Sequence, residues 1–447
     1  MSQVSEEILA RSPPVAPVAE AAGAADAGER VRRHGVRNFV VLTAHQVFMR
    51  VGWIFKTESI VMPGCLSAIG AGPALLAWQP VLMRIGLSVP PLLYAPRLKT
   101  MAHKKRSVAF TTFGMAALFG VLSALWLTGV WGEPGRPAAW MPYAFLALYG
   151  LFHCLTGLNQ IGAATLQGKL VRADRRGRLF AASVLVGSPL AIGAAWWLMP
   201  GWLAMADGGF GWVFAATGAA FVLSGVAVLF AREASDGFAE ESTTAWQKFQ
   251  AAWRVVQSDA NTRRLALVAV LASANFMLFP HYQAFGREQF EQPLSAIMLW
   301  VCVQNGATAV FGLAAGPLAD RFGNRVALRL AVTGLAMAPA TAVLFSLAPS
   351  WFAERCFWLI FVPLGLTPVT LRFLINYTLE IAPREEHPRF VSAIGMCLAI
   401  PVIIASPVVG LLVGAFGCVP VMVVGVVVLL SAGQQVRRLI EPRDETP

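Results

Sequence analysis

Residues 316–325 read Gly316-Pro317-Leu318-Ala319-Asp320-Arg321-Phe322-Gly323-Asn324-Arg325, a polar break between two apolar runs that are each long enough to cross a bilayer. The pattern is G-x-x-x-D-R-x-G-x-R. Glycines at 316 and 323 let two helices approach and the chain reverse tightly. An aspartate flanked by arginines can pair across helix ends that meet on one side of a membrane. Gly316, Asp320, Arg321, Gly323 and Arg325 are therefore candidates for a gating loop.

Composition extends this reading to the whole chain. With 57% hydrophobic and 13% charged residues over 447 positions, too little polar surface remains for a water-soluble protein. A membrane helix needs about 20 mostly apolar residues, and such runs are expected at 37–58, 72–96, 107–130, 140–166, 179–199, 211–231, 265–285, 295–317, 326–347, 354–380, 390–414 and 418–436. Short cytoplasmic loops collect Lys and Arg. The loops on one side hold Arg97, Lys99, Lys104, Lys105 and Arg106; Lys169, Arg172, Arg175, Arg176 and Arg178; and later Arg321, Arg325, Arg329, Arg384 and Arg389, with five more basic residues between 232 and 264. Only Arg136 and Arg287 fall in the loops of the other side. Both termini are then expected in the cytoplasm. The net charge of +11 is spread over loops rather than gathered on one face, which argues against nucleic acid and for a membrane surface.

The boundaries follow: a disordered cytoplasmic tail at 1–36, a six-helix bundle at 37–231, a cytoplasmic linker at 232–264, a second six-helix bundle at 265–436 and a short tail at 437–447. In the linker, Trp246, Phe249, Trp253 and Val256 recur at helical spacing, as in an amphipathic helix at the inner interface. A short helix packed on the end of the bundle accounts for them equally well.

The ten-residue motif in this layout resembles the signature loop that major facilitator superfamily transporters carry between their second and third helices and again between the eighth and ninth. The resemblance covers residues 37–436. It implies an all-α polytopic fold of twelve transmembrane helices in two halves built from inverted repeats, with spans one, four, seven and ten lining a central cavity and two, five, eight and eleven flanking it. An internal echo supports it. Setting Lys104 against Arg325 aligns Tyr94-Ala95-Pro96 with Ala315-Gly316-Pro317 and puts Lys99 where Asp320 stands, so the first half lacks the acid.

Soluble-enzyme chemistry finds little here. The six cysteines are scattered without C-x-x-C, the six histidines lack metal-ligand spacing, and no phosphate loop follows a strand signal. No cofactor, metal or enzymatic activity is expected. Charges inside the spans carry the functional information, because each costs at least ~2.5 kcal/mol unless it faces a cavity or a partner. Lys56 and Arg355 lie near outer span ends, where Lys56 can snorkel. Arg50 and Arg84 lie near the midpoints of spans one and two, and Arg372 lies in span ten. Gln46 shares a face with Arg50, and Asn376 shares one with Arg372. His153, Gln160, Asn275, Tyr282 and Asn305 complete the candidate substrate-binding set.

Cations outnumber anions near the midplane, which suggests an anionic solute gripped by guanidinium forks. Glu58 is the candidate for proton coupling, with Arg50 two turns away on nearly the same face as the opposite charge expected to hold it ionised, and His153 and His281 stand behind it. The expected function is a secondary active transporter or facilitator in the cytoplasmic membrane, a monomer that moves a small anionic solute by alternating access with coupling to a proton or a counter-solute. The alternative is a protein of the same fold that assists assembly or senses a ligand, which the incomplete first-half loop favours.

Overall fold

The computed structural model describes residues 18–133, 136–235 and 245–441. The chain is helical, with one short hairpin pairing Gly132–Glu133 with Arg136–Pro137. The first half comprises α1 (Val18–Phe55), α2 (Val61–Ala68), α3 (Pro73–Leu76), α4 (Trp78–Thr100), α5 (Lys104–Leu127), α6 (Met141–Leu170), α7 (Ala173–Leu203) and α8 (Phe210–Leu229). A connecting helix, α9 (Ala245–Ser258), leads to α10 (Ala260–Ala272), α11 (Ala274–Gln289), α12 (Ala296–Leu335), α13 (Met337–Leu347), α14 (Ser350–Cys356), α15 (Phe361–Leu364), α16 (Thr367–Ile381), α17 (His387–Phe416) and α18 (Cys418–Val436). Among the described residues, nine helical stretches are long and apolar enough to cross a membrane, and one of them, 52 residues from Ala296 to Leu347, covers two expected spans. The protein is a multi-pass membrane protein.

The two halves repeat one packing scheme. Contacts of α1 with α7 and α8, α4 with α6, and α5 with α8 recur as α10 with α17 and α18, α12 with α16, and α13 with α18. Between the halves, α4 meets α17 and α7 meets α12, so the seam has the same twofold character.

Three expectations change. Residues 18–36, assigned to a disordered tail, continue α1 as helix; their Ala, Glu and Arg content favours helix even without an apolar face. The remainder of that tail, 1–17, lies outside the described residues, as do 442–447 of the C-terminal tail. Residues 61–68, expected in a loop, form the buried helix α2, with Val61, Met62, Cys65 and Leu66 shielded from solvent. The apolar stretch Ile60-Val-Met-Pro-Gly-Cys-Leu66 was the available signal. Finally, α12 runs through the motif loop as an unbroken helix except at Gly323, where φ is 82° and ψ 157°. Only glycine tolerates that backbone cheaply, and the chain turns there.

In the linker, one face of α9 packs on the end of the bundle. Ala252 and Val255 are buried against Ala382, Phe390 and Ala393, at the ends of α16 and α17. The neighbouring face stays open, with Trp246 64% and Trp253 53% exposed and Trp246 stacked on Phe249 at 5.4 Å.

Candidate functional site

At the end of the bundle that carries the basic loops, each half is fastened by an acid just past its last helix. In the first half, the buried Glu233 side chain accepts the backbone N–H groups of Lys104 (2.8 Å) and Lys105 (2.9 Å) and pairs with Lys169 Nζ at 2.9 Å. Two amides at the start of α5 point at one carboxylate, as a helix N-terminus favours. Asn38 clamps the preceding residue, donating to Arg232 O and accepting from Arg232 N. In the second half, Glu441 pairs with Arg325 Nε at 3.1 Å, and Arg325 Nη1 donates to Leu439 O at 3.0 Å. Asn261 Oδ1 accepts from Ile440 N at 2.9 Å, and Tyr377 donates to Ile440 O at 2.7 Å.

The motif thus has a visible partner for its last arginine. A side chain at Gly323 would have its Cβ 2.9 Å from Glu441 Oε1, so the glycine admits the acid. Arg321 lies over the Phe322 ring at 5.2 Å, and Gly316 has open space around its Cα. Asn324 donates to Glu380 at 2.6 Å. Sequence comparison of the two loops missed Glu233 because it comes from the far end of the half and not from the loop.

Asp259 begins the second half as a helix cap. Its carboxylate accepts from the backbone N–H of Asn261 and Thr262 and from the hydroxyls of Thr262 and Ser258. Burial would raise its pKa, but these hydrogen bonds outweigh that and hold it below the usual aspartate value.

Further into the membrane, α4 and α6 cross closely. A Cβ on Gly86 would fall 2.5 Å from the His153 backbone, so only glycine permits this approach, which brings His153 toward the first half's charged centre. There Glu58 forms an ion pair with Lys56, accepts the Tyr149 hydroxyl and has His153 Nε2 3.3 Å away. Lys56 is fully buried, with Nζ 3.6 Å from the Trp53 ring centroid and 4.6 Å from that of Phe152. It does not snorkel: the cation is held by a carboxylate and two aromatic faces. Nor does Arg50 hold Glu58. Helix α1 ends at Phe55, so Glu58 sits in the following turn and off the helical face that Arg50 occupies. Neither Lys56 nor Tyr149 was among the expected site residues; Tyr149 lies one turn before His153 on α6, which is the spacing that could have found it.

The remaining candidates divide into groups. Arg84 lies with its guanidinium carbon 3.9 Å from the Phe276 ring centroid, bridging the first half to the second, and its Nε and Nη2 are buried without a hydrogen-bond partner among the described residues. Arg50 packs on α7, where a Cβ on Gly187 would lie 3.1 Å from Arg50 Cδ, and its Nε is also unpartnered among the described residues. Arg372 reaches across from α16 to the Phe180 ring at 4.3 Å. Phe180 and Gly187 are seven residues apart on α7, hence on one face, so Arg50 and Arg372 lie along the same side of that helix from opposite halves. Gln46 donates to Gln167 at 3.3 Å, Asn275 donates to Thr367 at 3.0 Å, and Tyr282 is buried with an unpartnered hydroxyl. Gln160 is exposed and Asn376 is half-buried. Both ring nitrogens of the buried His281 lack partners among the described residues.

Asn305 belongs elsewhere, to the seam at the end of the bundle opposite the basic loops. It donates to Val301 O at 2.9 Å and toward Thr57 Oγ1 at 3.4 Å. Next to it Ser59 donates to Gln304 Oε1 at 2.7 Å, and Gln283 donates to Ser67 Oγ at 3.0 Å. These three contacts join the halves.

Known structures share the fold. A mutant of the nucleoside transporter NupG superposes with a TM-score of 0.67 at 11% identity, covering 90% of this chain and 99% of that one. A D-xylose–proton symporter gives 0.64 at 13% identity over 92% and 99%, and an inward-facing bacterial homologue of the iron transporter ferroportin gives 0.59 at 14% over 90% and 98%. The sequence model described as Major Facilitator Superfamily matches residues 288–446. The chain has the major facilitator superfamily fold. Its second half, which carries the motif with its acid, also carries the superfamily's sequence signal, and no curated protein matches by sequence.

Proposed function

We propose that the protein is a monomeric secondary transporter of the cytoplasmic membrane that moves a small anionic solute by alternating access, through twelve spans with both termini in the cytoplasm. Arg84 carries this reading. It rises from α4 in one half, its guanidinium lies against Phe276 of the other, and among the described residues two of its nitrogens are unsatisfied. An unmatched buried cation is costly in hydrocarbon, and a carboxylate or phosphate fits its planar fork. Arg50 and Arg372 add cationic reach across the same seam. Of the clear acids within the spans, Glu58 is bound to Lys56 and Glu380 accepts from Asn324, so neither neutralises Arg84. The substrate would do so.

The hydrogen bonds at the end opposite the basic loops support an inward-facing state, closed outside. On this reading α9 lies at the inner interface with Trp246 and Trp253 toward the headgroups. Glu58 is the proposed coupling group, with Lys56 rather than Arg50 as its cation. Glu58→Gln is expected to exchange substrate at equal pH on both sides but not to accumulate it. Accumulation by that variant under an imposed pH gradient would remove Glu58 from the coupling role. The non-transporting alternative rested on the missing first-half acid; Glu233 supplies that half with an inner fastening of its own, which supports the carrier.

A further inference from the structure

The four residues after α1 divide their attention between the two halves. Lys56 and Glu58 turn into the first half, paired with each other and joined by Tyr149 and His153 of α6. Thr57 and Ser59, which alternate with them, bond to the second half through Asn305 and Gln304 of α12. The segment is also stiff. Thr57 Oγ1 donates to Ile54 O at 2.8 Å, and the Thr57 carbonyl accepts the N–H of Ile60, Val61 and Met62 at the entrance to α2.

We propose that the turn Lys56-Thr57-Glu58-Ser59 is the element that couples the Glu58 site to the seam between the halves: Lys56, Tyr149 and His153 position the carboxylate, and Thr57 and Ser59 carry its state to Gln304 and Asn305. This rests on the reading of Glu58 as the coupling group. A proton delivered by hydronium forms an O–H bond on Glu58 as an O–H bond of the hydronium breaks and leaves water. The carboxyl then donates at one oxygen where it had accepted; the Tyr149 hydroxyl can turn and accept that bond, whereas Lys56, a donor only, loses the charge that held it. Lys56 has no route to water from between Trp53 and Phe152 unless the turn moves, and a stiff turn that moves takes Ser59 and Thr57 with it. The charged and titratable groups facing Glu58 are Lys56 from the turn and Tyr149 and His153 from α6, with Arg84 of α4 acting on His153. The α12 groups that face the turn, Gln304 and Asn305, are neutral. The residues that alternate with the ion pair are therefore the ones that hold the outer seam, and neutralising Glu58 opens it.

The test is a distance measurement across that end of the bundle. Spin labels replace the exposed Met205 and Trp351, one in each half, in a background without the six native cysteines, and double electron–electron resonance reads the distance distribution in the absence of substrate. Gln304→Leu removes the seam contact and Glu58→Gln removes the charge. Both are expected to raise the longer-distance population about fivefold, the change that loss of one net hydrogen bond produces; Tyr149→Phe raises it less. If Gln304→Leu shifts the distribution while Glu58→Gln leaves it at that of the parent, the inference is wrong. Lost pH-driven accumulation in Glu58→Gln with unchanged distances would keep the coupling role and overturn the turn's part in it. Shifted distances with accumulation intact would keep the turn and overturn the coupling role. Should Glu58→Gln fail to fold, Tyr149→Phe measured between pH 5 and 8 decides, since a distribution that does not respond to either change contradicts the proposal.

Discussion

In the first half, Glu233 emerges after α8 and is swallowed by the bundle, where it takes two backbone amides of α5 and the Lys169 ammonium. In the second half, Glu441 emerges after α18 and takes the Arg325 side chain at a half-buried site beside Gly323. The residues that hold each acid's approach correspond as well, Asn38 on Arg232 and Asn261 on Ile440. One arrangement is preserved while its chemistry has changed from a helix terminus to a guanidinium. A fully desolvated carboxylate that also serves as a helix cap has few alternatives if its partners are altered, whereas an ion pair near water can be replaced by solvent.

The comparison predicts unequal damage from equal changes. Glu233→Gln leaves the Lys169 ammonium and two amides facing a weaker acceptor and is expected to cost about 3 kcal/mol, the scale of breaking a buried pair. Glu441→Gln is expected to cost about 1 kcal/mol, as for a partly exposed pair. Thermal unfolding of the purified protein in one detergent checks both. Equal losses would mean that the two fastenings are not different in kind. Gly323→Ala is expected to fall between them, at about 2 kcal/mol, because alanine is strained at a φ of 82° and its Cβ would crowd Glu441. If the same variant loses just as much when Glu441 is already Ala, the crowding part of that account fails.

The smallest effect is one of pH, and it belongs to the second half. Asp259 has its pKa depressed by the hydrogen bonds of its cap, against the opposing pull of burial. A carboxylate whose folded pKa lies below its unfolded one contributes stability that is present above the unfolded value and is lost as pH falls through the folded one. The midpoint difference between the parent and Asp259→Ala should be full at neutral pH and shrink as pH drops below about 4. A difference that persists unchanged at acid pH would assign the loss to packing and not to the cap.

The sequence carried the architecture well because bilayer thickness and loop charge impose a coarse and redundant pattern: apolar runs of the right length, basic residues on one side, and one motif at a predictable turn. It carried the site only in part. Arg84 was legible as a charge where hydrocarbon should be, and so was Glu58. Lys56 was dismissed because its position near a span end suggested an aqueous exit, which the rings of Trp53 and Phe152 close. The partner of Glu58 was misassigned because helical periodicity was carried three residues past the end of α1. Glu233 and Glu441 could not be read from the loops they complete, since each approaches through the fold from more than a hundred residues away.

The claim that an anion is the cargo stands or falls on Arg84. Purified protein and its Arg84→Gln variant would be screened by thermal shift against carboxylates and phosphate esters, and the strongest binder followed by exchange in proteoliposomes. The account predicts that at least one anion raises the unfolding midpoint of the parent by several degrees, as saturating ligand does, that Arg84→Gln loses both this shift and exchange of the same compound, and that Arg84→Lys retains a weaker shift. A variant Arg84→Gln that binds and exchanges that anion as the parent does would contradict it.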